Sequence, residues 1–391
     1  MINLRHLFRL LPDYLWISRS GYFDQELYRK AYSDVVNSGS DPILHYLLYG
    51  WKEGRDPGLL FCTRDYLHDY PDVQDGNMNP LVHYLRYGKK EGRKIKQSWI
   101  REDGSIPVTK PSDSELSDIE WIRIKYHEWF NTPLNLKNPK TYNEKINVYK
   151  LFYRDKSLWK YADKYVVREY IEQRIGSKYL IPLVGVYESA DDIRFDKLPD
   201  QFVIKATHGS GWNIICQDKN TLDWEKCKKQ LAGWLDLNFY DRFREWAYKD
   251  IQPRLIIEQY LSDSTGNTPN DYKIFCFDGK PKLIQVDYNR LADHKRNYYD
   301  TAWRQKPIIK EYPPNDVKEE KPANLDEMLD LAGKLSSDFP HVRVDFFTVP
   351  EIYFGEMTFY SGGGSVPYKP KEWDIRIGHY FSVSSFINRP F

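Results

Sequence analysis

Residues 21–95 carry one 38-residue pattern twice. Phe23 and Phe61, Asp34 and Asp72, Pro42 and Pro80, His45 and His83, Gly50 and Gly88, and Gly54 and Gly92 hold equivalent places. A period of that length marks a repeat module, so this stretch is constrained to one small unit used twice. Each copy reads as two short helices. Asp41 and Asn79 are placed as N-caps ahead of Pro42 and Pro80, which suit a first helical turn. Gly50 and Gly88 are placed as C-terminal stops.

His45 and His83 raise a metal or catalytic reading, but each sits beside a tyrosine in an apolar helix, once per copy. The expected role is an imidazole hydrogen-bonded within its own unit. The tandem units resemble those appended to bacterial polysaccharide-synthesis proteins. That resemblance implies a docking module, with polysaccharide-assembly proteins as partners.

Around the repeats the chain divides further. Residues 1–20 form an amphipathic segment with basic residues among Leu and Phe, expected to pack as an ordinary helix, with an interfacial role as the alternative. Residues 96–118 are polar and rich in Gly, Pro and Ser, and read as a linker. Residues 119–391 alternate helix-like and strand-like stretches and are expected to form one α+β domain. At 391 residues the chain is long enough for two or three cored domains. A net charge of +1 exerts no global pull on nucleic acid or anionic lipid, so an electropositive site must be local. Cys62, Cys216, Cys227 and Cys276 have no CxxC spacing, which argues against a zinc site and fits a reducing compartment. No stretch approaches the roughly 20 apolar residues of a membrane helix. The protein is read as cytoplasmic, with peripheral placement at the inner face of the membrane as an option.

In the α+β region, WKYADKYVVREYIEQRIG reads as a helix stopped by Gly176, and places Lys164 on it. QFVIKA and WNIICQ read as strands around the loop His208-Gly209-Ser210-Gly211, with Lys205 just before it. Glu258 lies in a short apolar strand, RLIIEQYL. DYKIFCFDGKPKLIQVDYN is a β-hairpin with a type I′ turn at Asp278-Gly279. VRVDFFTV and EIYFGEMTF are strands that place Asp345 and Glu356 about one hairpin apart, with Thr358 on the face of Glu356.

These residue types suit a nucleoside triphosphate. Lysines are mobile charges that follow phosphates, and a Gly-Ser-Gly turn lets backbone N–H groups approach them. Magnesium takes one or two carboxylates and completes its shell with phosphate. A carboxylate amid apolar residues, such as Asp345, must be paired, metal-bound or protonated. The competing reading for Asp345 is an ion pair with Arg343.

From about Leu134 to Gly378 the sequence closely resembles the TupA-like branch of the ATP-grasp superfamily. The stretches that carry this are NPKTYNEKI, ADKYVVREY, LPDQFVIKATHGSG, PRLIIEQYL, NDYKIFCFDGKPK, KPANLDEMLDLAGKLS, FPHVRVDFF and IYFGEMTFYSGGG. The resemblance implies an ATP-grasp fold: two α+β subdomains around a nucleotide cleft, here preceded by the small all-helical repeat module. By position, Lys164 and Lys205 would contact the α/β-phosphates. Gly209, Ser210 and Gly211, with His208 leading in, would lie in the loop closing over the triphosphate. Glu258, Gln259 and Tyr260 would form the adenine hinge, and Lys273 would be a phosphate-contacting cation. Asp345 and Glu356 would hold Mg2+. The usual third ligand is an Asn two residues after the Glu; here that position is Thr358.

ATP-grasp enzymes generally transfer the γ-phosphoryl of ATP to a carboxylate, and an amine then displaces phosphate. Two anions must meet, so a further cation is expected near the transferring group. Arg290 and Arg343 are the candidates, with a surface salt bridge and the pair with Asp345 as their respective alternatives. YSGGGSVPY and ADHKRNYYD supply glycine-rich backbone and basic and aromatic groups suited to an anionic sugar. The resulting expectation is an ATP-dependent amide ligase joining an amino acid or small amine to a hexuronic acid carboxylate in capsule or surface polysaccharide synthesis. A glycosyltransferase on the same scaffold is the alternative. A third reading is a binding module in which the repeats recruit a partner and the C-terminal domain is inactive.

Overall fold

The computed structural model describes residues 4–107, 111–263, 266, 268–290, 292–317 and 319–387. Met1–Asn3 of the N-terminal segment, residues 108–110 of the linker and the last four residues therefore lie outside the described residues. The chain forms two compact units, Met1–Asn138 and Pro139–Phe391.

The first unit is helical and the two repeat copies are built alike. In each, a helix (Gln25–Ala31; Thr63–Asp69) ends at a tyrosine and a five-residue helix follows (Ser33–Asn37; Pro71–Asp75). A third segment (Pro42–His45; Pro80–His83) continues as a π-turn through Gly50 or Gly88. The copies thus hold three helical segments rather than two, because the chain breaks at Tyr32 and Tyr70. The caps form as expected: Asp41 accepts from the N–H of Leu44, and Asn79 from that of Val82. The imidazoles are held inside their own copies, with Tyr28 Oη 3.1 Å from His45 Nδ1 and Tyr66 Oη 3.0 Å from His83 Nδ1. Gly50 and Gly88 serve space rather than a left-handed stop: a Cβ at either would overlap the Tyr28 or Tyr66 hydroxyl. Both copies and helix Leu4–Ser20 share one core, in which Ile17, Tyr46, Phe61, Leu81 and Tyr84 are buried.

Two boundaries differ from the sequence reading. The start of the polar 96–118 segment is packed, with Ser98 N–H donating to Leu59 O and Ile100 buried against Leu27 and Leu59. Helix Asp118–Phe130, opened by a capping box of Ser117 and Glu120, groups with the first unit. Its His127 Nε2 lies 2.9 Å from Tyr22 Oη, so the division falls at 138/139 rather than 118/119.

The second unit contains two antiparallel sheets. The smaller has the order β1-β4-β2-β3: β1 Leu183–Tyr187, β2 Phe202–Ala206, β3 Asn213–Cys216 and β4 Leu255–Gln259. Its core joins Phe202, Ile204, Leu255 and Ile257 to Leu231 of helix Trp224–Leu235. The larger has the order β10-β9-β5-β6-β7-β8. Its strands are β5 Asp271–Phe277, β6 Lys280–Tyr288, β7 Lys295–Tyr299, β8 Gln305–Lys306, β9 His341–Val349 and β10 Glu351–Thr358. Helix Leu325–Ser336 covers it, burying Met328, Leu331 and Leu335. The β5–β6 hairpin turns at Asp278 and Gly279, both at positive φ (47° and 73°), as a type I′ turn requires.

Residues 159–176 do not form one helix. Helix Trp159–Ala162 stops, and Val167–Arg174 follows after a turn. The break is made by Asp163, whose carboxylate accepts from the N–H groups of Tyr165 and Val166. Lys164 lies in that turn, and its N–H reaches Thr207 O at 3.3 Å, just beyond β2. Among the described residues, no helix is long and apolar enough to cross a membrane.

Candidate active site

In antiparallel sheets, directly paired residues share a face. The register of the larger sheet therefore lines up Glu356, Asp345, Lys273, Gln285 and Tyr298 across β10, β9, β5, β6 and β7. A second row beside it holds Phe347, Asp271, Asp287 and Arg296. Arg343 pairs with Thr358 on the other side of the first row. A register shift at Gly355 brings Glu356 opposite Asp345. A belt of charge thus crosses one sheet face and demands mutual compensation.

That compensation is dense. Arg343 donates to Asp345 through Nε (2.7 Å) and Nη2 (2.6 Å), to Ser361 Oγ (3.0 Å), and to Thr358 Oγ1 (3.1 Å). Its Nη2 also lies 3.3 Å from Glu356 Oε1. Lys273 bonds Asp271 and reaches Asp345 at 2.9 Å. Arg290, just past the end of β6, reaches the same Asp271 at 2.7 Å. Burial raises the Asp345 carboxyl above its ordinary value, against the pull of Arg343 and Lys273. For Glu356, burial is outweighed by Lys164, Arg343, Lys273 and Arg290, which hold it at about 2.

On the smaller sheet, Lys205 Nζ lies 2.7 Å from Glu258 Oε2, and Arg168 Nη1 lies 2.9 Å from Oε1. Lys164 Nζ bonds Gly209 O and stands 3.8 Å from Glu356 Oε2, so it links the loop to the larger sheet. Burial pushes its ammonium down. In the loop, Gly211 sits at φ +75°, a conformation that L side chains rarely adopt. Gly209 is held by space: a Cβ there would overlap the Trp212 ring.

Two cavities adjoin between these walls. One of about 430 Å³ is lined by Ile181, Val203, Ile215, Glu258, Gln259 and Tyr260, among others. The second, about 120 Å³, is lined by Lys164, Ser210, Gly211, Lys273, Asp345 and Glu356, among others. Lys205, Asn213, Arg290 and Phe347 border both. A large, mainly apolar chamber thus leads to a small charged one.

The structure gathers most of the sequence-selected residues at this cleft. Lys164, Lys205, Ser210, Gly211, Glu258, Gln259, Tyr260, Lys273, Arg290, Asp345 and Glu356 line it. Arg343 and Thr358 stand one step behind, bonded to its carboxylates. His208 and Gly209 are not in the lining. His208 turns inward, with Nε2 2.9 Å from Trp234 O, because its ring packs against Trp212. ADHKRNYYD is also less available than its basic residues suggest. Arg296 is buried and bound by Asp287 and Glu311, and His294 stacks on Tyr312 at 3.6 Å. Sequence reasoning missed Arg168, Asp271 and Asp287. Asp271 was within reach, since it stands two residues from Lys273 and so shares its face.

Among the described residues, no group of three or more His, Cys, Asp or Glu side chains is arranged to hold a metal ion. Two carboxylates and a hydroxyl nevertheless form an all-oxygen donor set beside lysines. That set fits a hard cation sharing phosphate oxygens with the protein.

Paired sheets around such a cleft define an ATP-grasp protein. The chain belongs to the TupA-like ATP-grasp family: the family model matches residues 144–382, more than half its length. A search of curated proteins finds no match. Among solved structures, the chain is similar to D-alanine–D-alanine ligase from Bacillus anthracis complexed with ATP, at 13% identity and TM-score 0.32, covering 51% of this chain and 55% of that one. It is also similar to N5-carboxyaminoimidazole synthetase from Staphylococcus aureus, at 12% identity and TM-score 0.29, covering 51% and 44%. The chain spans about half the length of these structures.

Proposed function

We propose that this protein is an ATP-dependent amide ligase that joins an amino acid or small amine to the carboxylate of a hexuronic acid, in synthesis of a capsule or other surface polysaccharide. The observation that carries the reading is the row Glu356–Asp345–Lys273, which faces the cleft with Lys164 and Lys205 beside it.

In this reading the adenine occupies the larger chamber, against Val203 and Ile215, with Glu258, Gln259 and Tyr260 as its hinge. Lys164, Lys205 and Lys273 take the phosphates, and the Ser210-Gly211 backbone lies over them. Asp345 and Glu356, with the Thr358 hydroxyl at hand, would hold magnesium, which when bound neutralises phosphate charge and polarises the transferring phosphoryl. The substrate carboxylate attacks the γ-phosphorus, giving an acyl phosphate and ADP. The amine then attacks the acyl carbon, loses a proton, and phosphate leaves. The chain's task is to bring anions together and neutralise them, which Arg290 and Arg343 serve. The repeats, which form part of the separate first unit, would recruit polysaccharide-assembly proteins.

The test is ADP release from ATP and magnesium with a panel of amines and uronic acids, followed by product mass. ADP release that needs both substrates, and a product heavier than the uronic acid by the amine less water, supports the ligase. A requirement for a nucleotide-sugar donor without ATP consumption overturns it in favour of sugar transfer.

A further inference from the structure

Lys310 is a buried cation that the scheme above leaves unused. It is 4% exposed, and burial pushes its ammonium down to about 7. Its Nζ lies 3.3 Å from the Tyr368 hydroxyl, over the Tyr368 ring at 4.4 Å and 5.9 Å from the centre of the Tyr142 ring. Among the described residues, no carboxylate pairs with it. Asp374 is the strongest acidic influence, but both its oxygens accept from Asn143. Glu311 is bound to Arg296, while Arg296 and Arg343 repel the ammonium.

Burying an ammonium without a counter-ion is unfavourable, and an apolar side chain of similar length would fill the space at less cost. Such a group is a candidate for binding an anion that arrives later. The geometry says where. Nζ lies so close to Gly362 that a Cβ there would come within 2.8 Å of it. Gly362, Gly363 and Gly364 all hold positive φ (65°, 60° and 63°), a run that L side chains rarely adopt; Gly363 and Gly364 are buried, the latter against Asn147 and Ile146. Gly362 itself is exposed, and Ser361 at the start of the turn is held by Arg343. Lys310 therefore backs the exposed Gly362 of a turn whose first residue, Ser361, is bonded to the Arg343 guanidinium.

We propose that Lys310 and the Gly362–Gly364 turn receive the carboxylate of the sugar substrate before its phosphorylation. This rests on the ligase reading and extends it by assigning the acid-recognising group. The carboxylate accepts from the ammonium beside the exposed Gly362, and lies on the Arg343 side, where the phosphoryl must arrive. The ammonium is charged below its titration and neutral above it, so affinity for the acid falls as pH rises through about 7.

The experiment compares the full-length protein with its Lys310→Met and Lys310→Arg variants, using D-glucuronic acid as probe and D-glucose as control. In wild type, D-glucuronic acid but not D-glucose raises Tm in the presence of magnesium and a non-hydrolysable ATP analogue. Lys310→Met abolishes that shift and raises the KM for D-glucuronic acid at least tenfold. It leaves the KM for ATP within twofold and the unliganded Tm equal or higher. Lys310→Arg recovers part of the affinity, and the rise of KM above pH 7 disappears in Lys310→Met. An unchanged KM and Tm shift in Lys310→Met overturn the assignment while leaving the ligase standing. So does a drop in unliganded Tm with no recovery in Lys310→Arg, which marks a structural lysine. A shift that depends on Lys310 without any uronate-dependent ADP release keeps the anion site and sinks the ligase. Absence of both the shift and turnover in wild type sinks both.

Discussion

Asp345 and Glu356 stand opposite each other on β9 and β10, and one guanidinium nitrogen of Arg343 lies 2.6 Å from an oxygen of the first and 3.3 Å from an oxygen of the second. The relationship joins two sequence readings that competed. Asp345 is paired with Arg343, and it also faces Glu356, the second carboxylate that would hold a cation. Both carboxylates line the small chamber.

Asp345→Asn and Glu356→Gln are each expected to reduce ATP turnover at least ~100-fold, since each removes the negative charge of an oxygen that would hold the metal. Steady-state ADP release checks this. Full activity in either variant would contradict its metal role.

Lys205→Met is expected to raise the KM for ATP and to lower stability by about 1–3 kcal/mol, because one oxygen of the buried Glu258 loses its partner. Arg168 keeps the other oxygen, which limits the loss. Glu258→Gln in the Lys205→Met background should recover part of the stability, and denaturant melts of the two single variants and the double measure it.

The loop glycines should separate by mechanism. Gly211→Ala meets open space and loses only about 1–2 kcal/mol from its left-handed conformation. Gly209→Ala must displace Trp212, which stacks near Trp234 on the smaller sheet's helix. Tryptophan fluorescence should shift in Gly209→Ala and stay unchanged in Gly211→Ala.

Acid should unfold the protein partly through Glu356. Its carboxyl titrates lower in the folded chain, at about 2, than in the unfolded one. Its stabilisation is therefore present above the unfolded value, about 4.3, and is lost as pH falls from there toward 2. Glu356→Gln should flatten this part of the Tm–pH curve, measured between pH 2.5 and 6.

The legible part of this molecule is local. The period of the repeats, the caps at Asp41 and Asn79, the type I′ hairpin and the alternation around Asp345 each depend on neighbours in sequence, and all appear as expected. What stayed hidden depends on register and on distant partners. Arg168 meets Glu258 across 90 positions, and Asp287 joins the charged belt only because β5 and β6 pair in one register. Asp163 hid the break before Lys164, since helix-compatible residues surround it and the capping bonds show only in three dimensions. Lys310 carried no motif, and its interest arises from burial without a counter-ion.

In the proposed reaction the cleft transfers the γ-phosphoryl of ATP to a carboxylate. Turnover of a uronic acid labelled with 18O in its carboxyl group, with magnesium, ATP and an accepted amine, tests it most directly. One 18O is expected in each phosphate released, with ADP formed in equal amount. Unlabelled phosphate, or product formed without ADP, would contradict it.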